Sequence, residues 1–339
     1  MARRCVYTGA TADTIGRVPH MTEPCMLCGS TRHETVSTKD RHGNPLTTVL
    51  CLGCGIITND PIPSDEELAA FYRTDYRKDY KGAEKPRMRQ VWRNFQRLEQ
   101  HVNANRDIYA GRKRLLDLGS GSGEFSFLAS RLGMECHGVE PNEDYAAYSR
   151  DELGLNVATQ TLEETDFPEG AFDLIRLSHV LEHMRDPVRS LKVLRGWLAD
   201  DGVLYIEVPN IEREADLKMR GRMFHFGHIF NYNPVTLRLA AGLAGLEELP
   251  AVRARNADTC GTFFVKAEAP FTPEADLEAN ARRMKAAMDS HNARTLPRPN
   301  EGTALGRFFR INRQRLSEVL AARRFATHRQ IADHFGNRI

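Results

Sequence analysis

The chain has 339 residues, of which 41% are hydrophobic, which is enough to bury a core and to fold as two or three units. Its 47 Lys and Arg residues nearly balance its 45 Asp and Glu residues, and the net charge of +2 argues against a protein built around bulk attraction to nucleic acid or membranes. No stretch is apolar enough to span a bilayer, and the first residues lack the apolar core of a signal peptide. The composition therefore predicts a globular protein with a cytoplasmic location.

Cysteine pairs dominate the segment that follows a predicted irregular N-terminus of residues 1–20. The two motifs are Cys25-x-x-Cys28 and Cys51-x-x-Cys54. Four thiolates in two close pairs suit tetrahedral Zn²⁺, and a short segment with few large apolar residues needs such a staple to fold. A closed site of four cysteines leaves no position for water, so the predicted role of the zinc is structural. We assign residues 21–80 to a zinc-binding module.

Helix and strand signals follow the cysteine pairs. Ser64 and Glu67 form a predicted capping box, and apolar residues recur on one face of a predicted helix from Met88 to Val102. Beyond Arg112, apolar strands alternate with amphipathic helices, which indicates an α/β fold with a parallel sheet covered on both faces. The predicted strands are 114–119, 135–140, 155–159, 172–179, 203–209 and 262–267.

A glycine loop links the first of these strands to a helix. Gly119, Gly121 and Gly123 allow a tight turn and let backbone N–H groups face a ligand closely. Dinucleotide enzymes favour G-x-G-x-x-G, whereas the spacing here is G-x-G-x-G with Asp117 just before it. A carboxylate there would repel a pyrophosphate, but it suits a ligand with ammonium and sulfonium charges. Glu140 ends the second strand, where an acid can accept hydrogen bonds from both hydroxyls of a ribose.

Five motifs of this region occur in a characteristic order, and they are LLDLGSGSGEF, VEP, TLEETDFPEGAFDLI, SHVLEHMRDP and GVLYIEVPN. Together they resemble the motifs of class I S-adenosylmethionine-dependent methyltransferases. The resemblance covers residues 86–270 and implies a Rossmann-like domain whose sheet has seven strands, the last of them, 262–267, antiparallel. It also implies S-adenosylmethionine as the cofactor.

The resemblance further implies a set of cofactor contacts. By position these are Gly119, Gly121 and Gly123 beneath the methionine part, Asp117 near its amino group, Glu140 on the ribose, Thr161 and Leu162 at the adenine edge, and Ser178 and His179 at the methionine end. The acid that such enzymes often carry at the first adenine position is absent, because this chain has Thr161 there.

A second resemblance concerns the cysteine-rich segment. The stretch 51-CLGCGIITNDPIPSDEELAAFYRTDY-76 resembles the zinc-binding segment that precedes a methyltransferase domain in bacterial enzymes, many of which act on sugars or other natural-product scaffolds. It implies a small-molecule or glycan acceptor, such as a sugar or a nucleotide-linked sugar. The cysteine pairs also lack the flanking aromatic and basic clusters of nucleic-acid-binding knuckles.

Two histidine groups fall near the carboxyl ends of strands, where open α/β sheets bind ligands. His183 follows the fourth strand, and His225 and His228 follow the fifth. Histidine suits proton removal near neutral pH, so these three are candidate bases, with ordering of its loop as the alternative role for His183. The position of His228 resembles that of the histidine base in sugar C-methyltransferases. Those relatives have a tyrosine and a glutamate where this chain has His225 and Gly227, so transfer to a sugar hydroxyl stays open beside carbon methylation.

The last segment, residues 271–339, is predicted as a helical basic extension. Its arginines include Arg307, Arg310, Arg313, Arg315, Arg323 and Arg324. They are interpreted either as solvated helix faces or as a docking surface for an anionic substrate or partner. Two other functions therefore stay open beside sugar methylation: methylation of an aromatic or lipid hydroxyl, and a non-catalytic zinc-ribbon adaptor or RNA-binding protein.

Overall fold

The computed structural model of the protein describes residues 23–74, 85–217, 223–249, 259–269, 271–273, 276–293 and 304–339. The predicted irregular segment 1–20 lies outside these residues. The strands are β1 (His33–Lys39), β2 (Pro45–Cys51), β3 (Ile57–Asn59), β4 (Arg114–Leu118), β5 (Glu135–Val139), β6 (Asn156–Ala158), β7 (Phe172–Ser178), β8 (Leu198–Glu207), β9 (Phe230–Asn231), β10 (Leu246–Glu248) and β11 (Thr262–Lys266).

The helices alternate with these strands through most of the chain. They are α1 (Asp65–Thr74), α2 (Met88–Ala104), α3 (Arg106–Tyr109), α4 (Glu124–Arg131), α5 (Glu143–Leu153), α6 (Pro187–Trp197), α7 (Ile211–Leu217), α8 (Pro234–Leu243), α9 (Leu277–Ala293), α10 (Ala304–Ala322) and α11 (His328–Gly336), with a 3₁₀ turn at Leu181–His183. In this described part of the chain, no helix combines the length and the apolar character needed to cross a membrane.

A seven-stranded sheet forms the centre of the larger domain, in the order β10-β11-β8-β7-β4-β5-β6. Strands β4 to β8 pair in parallel, whereas β11 runs antiparallel to β8 and β10 runs antiparallel to β11. The central strands bury consecutive residues, such as Leu115 and Leu116, because helices cover both faces of the sheet. The predicted α/β fold class with an antiparallel strand near 262–267 is confirmed. The short strand β10 was not predicted.

The helices predicted ahead of this domain are present. The capping box at the start of α1 is formed, because the Ser64 N–H donates to Glu67 Oε2 at 2.8 Å and the Glu67 N–H donates to Ser64 Oγ at 3.2 Å. Helix α2 buries Val91 and Phe95 against the larger domain. These contacts confirm the helical signals in the sequence.

A second, antiparallel sheet of order β1-β2-β3-β9 carries the cysteine pairs. Its outer strand β9 belongs by sequence to the larger domain and follows directly after a histidine-rich loop. Ile57 pairs with Asn231 and Thr58 pairs with Phe230 across the β3–β9 junction. This junction could not be predicted, because a strand of two residues has no measurable periodicity.

The C-terminal helices pack on both parts of the molecule. On α9, the buried Asn280 side chain donates to the Cys54 carbonyl at 2.8 Å. On α11, the Phe335 ring stacks on Phe95 with 5.7 Å between ring centroids, and Asp333 accepts from Arg131 at 2.6 Å. Segment 271–339 therefore contributes packed helices to the core of the fold as well as exposed basic side chains.

A histidine in α2 gives the fold a pH dependence. His101 lies against Tyr205 and Phe263, its Nε2 is 2.6 Å from Tyr109 Oη, and burial lowers the pKa of its imidazole to about 4. An unfolded histidine titrates near 6.5. Between pH 6.5 and 4 the unfolded chain therefore binds a proton that the folded chain does not, and folding is destabilised as the pH falls.

We expect the free energy of unfolding to fall by up to about 1.4 kcal/mol per pH unit in this window, or about 3 kcal/mol in total, through His101 alone. Urea unfolding at several pH values would measure this slope. The His101→Gln variant keeps a polar side chain without a titrating group, so its slope should be smaller than that of the wild type. Equal slopes in the two proteins would contradict the assignment.

Candidate active site

The glycine loop occupies the turn between β4 and α4. Gly119, Gly121 and Gly123 all have positive φ, at 68°, 57° and 79°. A Cβ atom added to Gly119 would lie 2.4 Å from Val180 Cγ2, and one added to Gly123 would lie 2.7 Å from Leu155 Cδ1, whereas one added to Gly121 would meet nothing within 4 Å. The outer glycines therefore permit close packing of the protein on itself. The middle glycine faces open space at the carboxyl end of the sheet.

Glu140 stands over this open space at the end of β5. One of its carboxylate oxygens accepts the Gly121 N–H at 2.7 Å, and the other accepts the Asn142 N–H at 2.9 Å. The carboxylate is thus fixed beside the middle glycine by two backbone donors. The location agrees with the predicted ribose contact, which stays a prediction.

Asp117 lies deeper than the predicted contact with a ligand ammonium implies. It is fully buried, and its two oxygens accept from Arg176 Nη1 and Ser126 Oγ, each at 2.8 Å. The Arg176 guanidinium, which comes from β7, also lies over the Phe125 ring, 4.5 Å from the centroid. Both oxygens of Asp117 are therefore engaged inside the protein, where they join β4, β7 and α4 beneath the loop, and the contact of Asp117 with a ligand ammonium stays a prediction.

The predicted adenine-edge residues lie in the turn after β6. Thr161 is exposed, and its N–H donates to Glu164 Oε2 at 2.9 Å, while Leu162 is partly buried against the core. Glu164 thus orders this turn. The contact of Thr161 and Leu162 with an adenine stays a prediction.

Ser178 and His179 continue the carboxyl edge at the end of β7. Ser178 Oγ donates to Glu207 Oε1 at 3.2 Å, and His179 stands between Glu182 and Glu207, with a ring nitrogen 3.5 Å from an oxygen of each. Burial alone would lower the pKa of His179, but the two carboxylates outweigh it and raise the pKa to about 9. His179 also adopts a left-handed backbone with φ of 59°, the one non-glycine residue with positive φ in the described chain.

A cluster of one glutamate and three histidines lies next to His179. The 3₁₀ turn after β7 carries Glu182 and His183, and the loop before β9 carries His225 and His228. Ring centroids of His183 and His228 are 4.9 Å apart, and those of His225 and His228 are 3.9 Å apart. The structure therefore brings the three predicted candidate bases together with a glutamate. Their catalytic role stays a prediction.

The tautomer of His183 follows from its partner. His183 Nδ1 lies 2.5 Å from the Gly227 carbonyl oxygen, which can only accept, so Nδ1 carries the proton and Nε2 presents a lone pair. Burial lowers the pKa of His183 and keeps the ring neutral. The His225 ring is fixed differently, because its Nδ1 accepts the Gly227 N–H at 3.1 Å. One backbone residue thus orients two of the three imidazoles.

The four cysteines converge as predicted. Cys25 Sγ and Cys54 Sγ are 3.8 Å apart, and Cys28 Sγ and Cys51 Sγ are 3.5 Å apart, with all four sulfurs within 4.8 Å of one another. A tetrahedral Zn²⁺ with bonds of about 2.3 Å separates its sulfur ligands by about 3.8 Å. The cluster therefore has the donors and the spacing that zinc requires.

Three charged residues near the carboxyl edge of the sheet were not predicted as site residues from the sequence. Arg176 lies in the buried part of β7, Glu207 ends β8, and Glu182 lies between the predicted histidines. A charge inside a buried strand is itself a signal, because burial is tolerated only with a partner. The sequence does not show that Asp117 is the partner of Arg176, because Asp117 lies on another strand.

The comparisons with known proteins agree with this geometry. A family described as "Methyltransferase domain" matches residues 88–250, just under half of the chain. The ubiquinone biosynthesis O-methyltransferase of Bradyrhizobium diazoefficiens is 29% identical over 123 residues, which cover 35% of this chain and 46% of that protein. The enzyme of the same name from Actinobacillus pleuropneumoniae is 28% identical over 108 residues, or 29% of this chain and 46% of that protein. The chain thus spans about half the length of these curated relatives.

Solved structures with a similar shape include two methyltransferases. One is the Burkholderia thailandensis 1,6-didemethyltoxoflavin-N1-methyltransferase with bound 1,6-didemethyltoxoflavin and S-adenosylhomocysteine, with 18% identity, a TM-score of 0.46, and coverage of 63% of this chain and 96% of that one. The other is the CcbJ methyltransferase from Streptomyces caelestis, with 17% identity, a TM-score of 0.42, and coverage of 50% of this chain and 89% of that one.

The sheet order, the glycine loop and the family match define residues 88–250 as a methyltransferase domain. This domain has the Rossmann-like fold of methyltransferases.

The open space in front of Gly121 yields a test of the cofactor site. An arginine at position 121 would fill the space, so Gly121→Arg should weaken binding of S-adenosylhomocysteine at least about 100-fold, or about 2.7 kcal/mol. The matched control is Gly111→Arg, because Gly111 also has positive φ and open space around it. Each substitution strains the backbone by about 1–2 kcal/mol, but only the first faces the loop. Calorimetric titration of both variants would measure the affinities, and retained binding in Gly121→Arg would overturn the placement.

Proposed function

We propose that this chain transfers a methyl group from S-adenosylmethionine to a hydroxyl of a small-molecule acceptor. The observation that carries the proposal is the meeting of two features at one edge of the sheet. The glycine loop contacts Val180, and Val180 stands between the cofactor-side His179 and the turn that carries Glu182 and His183. A bound cofactor and a bound acceptor would therefore be neighbours.

The side chains along this edge of the sheet suit one part to binding the cofactor and the other part to activating the acceptor. S-adenosylmethionine supplies an electrophilic methyl group bound to a sulfonium. The carboxylates of Glu140 and Glu207 give the cofactor side negative charge, which suits a cationic ligand. On the acceptor side, Glu182, His183 and His228 promote loss of the hydroxyl proton, so that the oxygen can attack the methyl carbon in line.

Our choice of acceptor class is based on sequence resemblance to other enzymes. The amino-terminal segment resembles that of bacterial enzymes that act on sugars, so a sugar, a nucleotide-linked sugar or a related natural product is our first candidate acceptor. A second candidate is an aromatic or lipid hydroxyl, favoured by the curated relatives, which are named ubiquinone biosynthesis O-methyltransferases. Oxygen is preferred to carbon as the methylated atom because His225 and Gly227 replace the tyrosine and glutamate of the carbon methyltransferases.

The alternative to this proposal is a non-catalytic role. An adaptor or RNA-binding role would depend on the basic extension, in which Arg313, Arg315 and Arg323 are exposed, while the side chains of Arg307 and Arg310 lie outside the described residues. That role and a cytoplasmic location stay predictions.

The proposed function is tested first by binding and then by turnover. We expect S-adenosylmethionine and S-adenosylhomocysteine to bind the zinc-replete protein in calorimetry, and NADH not to bind. Nucleotide-linked sugars and catechols would then be incubated with S-adenosylmethionine, and mass spectrometry would detect the gain of one methyl group. Binding of NADH in place of the other two ligands would overturn the cofactor, and methylation of a catechol alone would replace the first acceptor class by the second.

We also propose that the four cysteines hold a structural Zn²⁺. Their sulfur spacing supports the proposal, and so does the burial of Cys25, Cys51 and Cys54. The zinc would bind Cys25, Cys28, Cys51 and Cys54 and would fix the chain that leads into β3.

Removal of one thiolate should unfold this part of the protein. We expect Cys28→Ser to lose one equivalent of zinc per chain and to unfold at lower temperature or to aggregate, because the metal supplies much of the folding free energy of such a module. The matched control is Cys136→Ser, which changes a thiol of β5 and should keep its zinc. Metal analysis and thermal unfolding would check both variants. Loss of turnover in Cys28→Ser with zinc still bound and the fold intact would contradict a structural role.

A further inference from the structure

We propose that Glu182, His183 and His228 bind a divalent transition-metal cation, and that this cation takes the acceptor hydroxyl as a further ligand. This site is separate from the cysteine cluster. Its role in methyl transfer rests on the proposed function, whereas the binding of the cation does not.

Glu182 is the first reason for the proposal. Its side chain is 1% exposed, and neither carboxylate oxygen has a hydrogen-bond partner among the described residues. The nearest nitrogen of His179 is 3.5 Å away, which exceeds the usual length of an N–H···O hydrogen bond. A carboxylate is seldom buried without a compensating charge or hydrogen bonds. The charge of His179 offsets part of this cost, and a bound cation would supply the direct contact that both oxygens lack.

The histidines that face Glu182 are arranged as metal ligands are. His183 is the clearer case, because its Nδ1–H donates to the Gly227 carbonyl and its Nε2 lies 3.9 Å from Glu182 Oε1. Ligating histidines commonly donate their second ring N–H to a carbonyl, which fixes the tautomer and the ring orientation. The Nε2 of His228 lies 4.0 Å from the same carboxylate oxygen.

The distances suit a single ion. Glu182 Oε1 lies 3.9 Å from His183 Nε2 and 4.0 Å from His228 Nε2, and the three ligand atoms are all within 4.8 Å of one another. Because bonds to nitrogen and oxygen are about 2.1 Å, two ligands of one ion are separated by about 3 to 4.2 Å. Small side-chain rotations therefore suffice for all three atoms to reach one cation.

The donor set selects the kind of cation. Two imidazoles and one carboxylate suit Zn²⁺, Fe²⁺ or Co²⁺, whereas Mg²⁺ prefers oxygen ligands and retains its water. Three protein ligands leave at least one coordination position for a substrate, as in catalytic zinc sites. This is the opposite of the cysteine cluster, which four thiolates close.

The cation would act as a Lewis acid on the acceptor. The hydroxyl oxygen binds the cation, its pKa falls, and its proton leaves to water. The resulting oxygen anion forms a bond to the methyl carbon while the carbon–sulfur bond breaks, and the sulfur keeps that electron pair as S-adenosylhomocysteine forms. In this arrangement His183 and His228 hold the cation and do not themselves carry the proton away.

Metal counting tests the site without any reaction. Protein dialysed against Zn²⁺ and then freed of excess metal should contain two equivalents of zinc in the wild type. Glu182→Gln should contain one, because the cysteine cluster keeps its metal. The matched control is Glu99→Gln, which alters another buried glutamate, paired at 2.8 Å with Arg338, and should keep two. One equivalent in the wild type would overturn the proposal.

Cobalt identifies the ligands. Co²⁺ added to protein that holds one zinc should give visible d–d absorption without thiolate-to-cobalt charge-transfer bands, and its affinity should fall at least about 100-fold in Glu182→Gln and in His228→Gln. Circular dichroism and the retained cysteine zinc show whether each variant is folded. Charge-transfer bands in the wild type, or unchanged affinity in both folded variants, would refute the site.

Calorimetry with S-adenosylhomocysteine on the same samples separates this proposal from the proposed function. Binding of a second metal without binding of S-adenosylhomocysteine would leave the metal site standing and reject the methyltransferase activity. Binding of S-adenosylhomocysteine with one zinc per chain would do the reverse.

Discussion

The pairing of β3 with β9 is the constraint on which the acceptor side of the site depends. It joins the cysteine-bearing sheet to the strand that directly follows His225 and His228. The Asn59 side chain adds a hydrogen bond to the Phe226 carbonyl at 3.0 Å, and the Asn59 N–H donates to the Ile229 carbonyl at 3.0 Å. The histidine loop is therefore held at both ends by the smaller sheet, so the cysteine cluster supports the active edge although no cysteine lies in it.

Helix α9 strengthens the same connection from the far end of the sequence. Asn280 donates to the Cys54 carbonyl and accepts from the Asn233 side chain at 2.8 Å, so one buried amide joins the cysteine cluster to the start of α8. A Cβ added to Gly55 would lie 2.7 Å from the Asn280 amide and 3.1 Å from the Ala281 backbone, which shows how closely the helix approaches the cysteine turn. Segments 226 residues apart in the sequence thus support the site together.

The features that the sequence predicted correctly share a local cause. Strands β4 and β7, the glycine loop and the capping box of α1 each express a pattern within about ten neighbouring residues, and so do the paired cysteines. The features that escaped prediction depend on distant partners. Strand β9 is too short to carry a pattern, and the engagement of Asp117 by Arg176 arises across two strands. The burial of Glu182 is visible only once the loops before β9 and after β7 meet.

The backbone of His179 and its side chain favour different residues at this position. A side chain in that conformation costs about 1 kcal/mol or more, which a glycine would avoid. A glycine would also delete the imidazole that stands between Glu182 and Glu207. Because the two carboxylates hold this imidazole in its charged form, its removal would leave both of them without that partner, and a directed-evolution campaign for heat resistance would retain His179 in spite of its backbone strain.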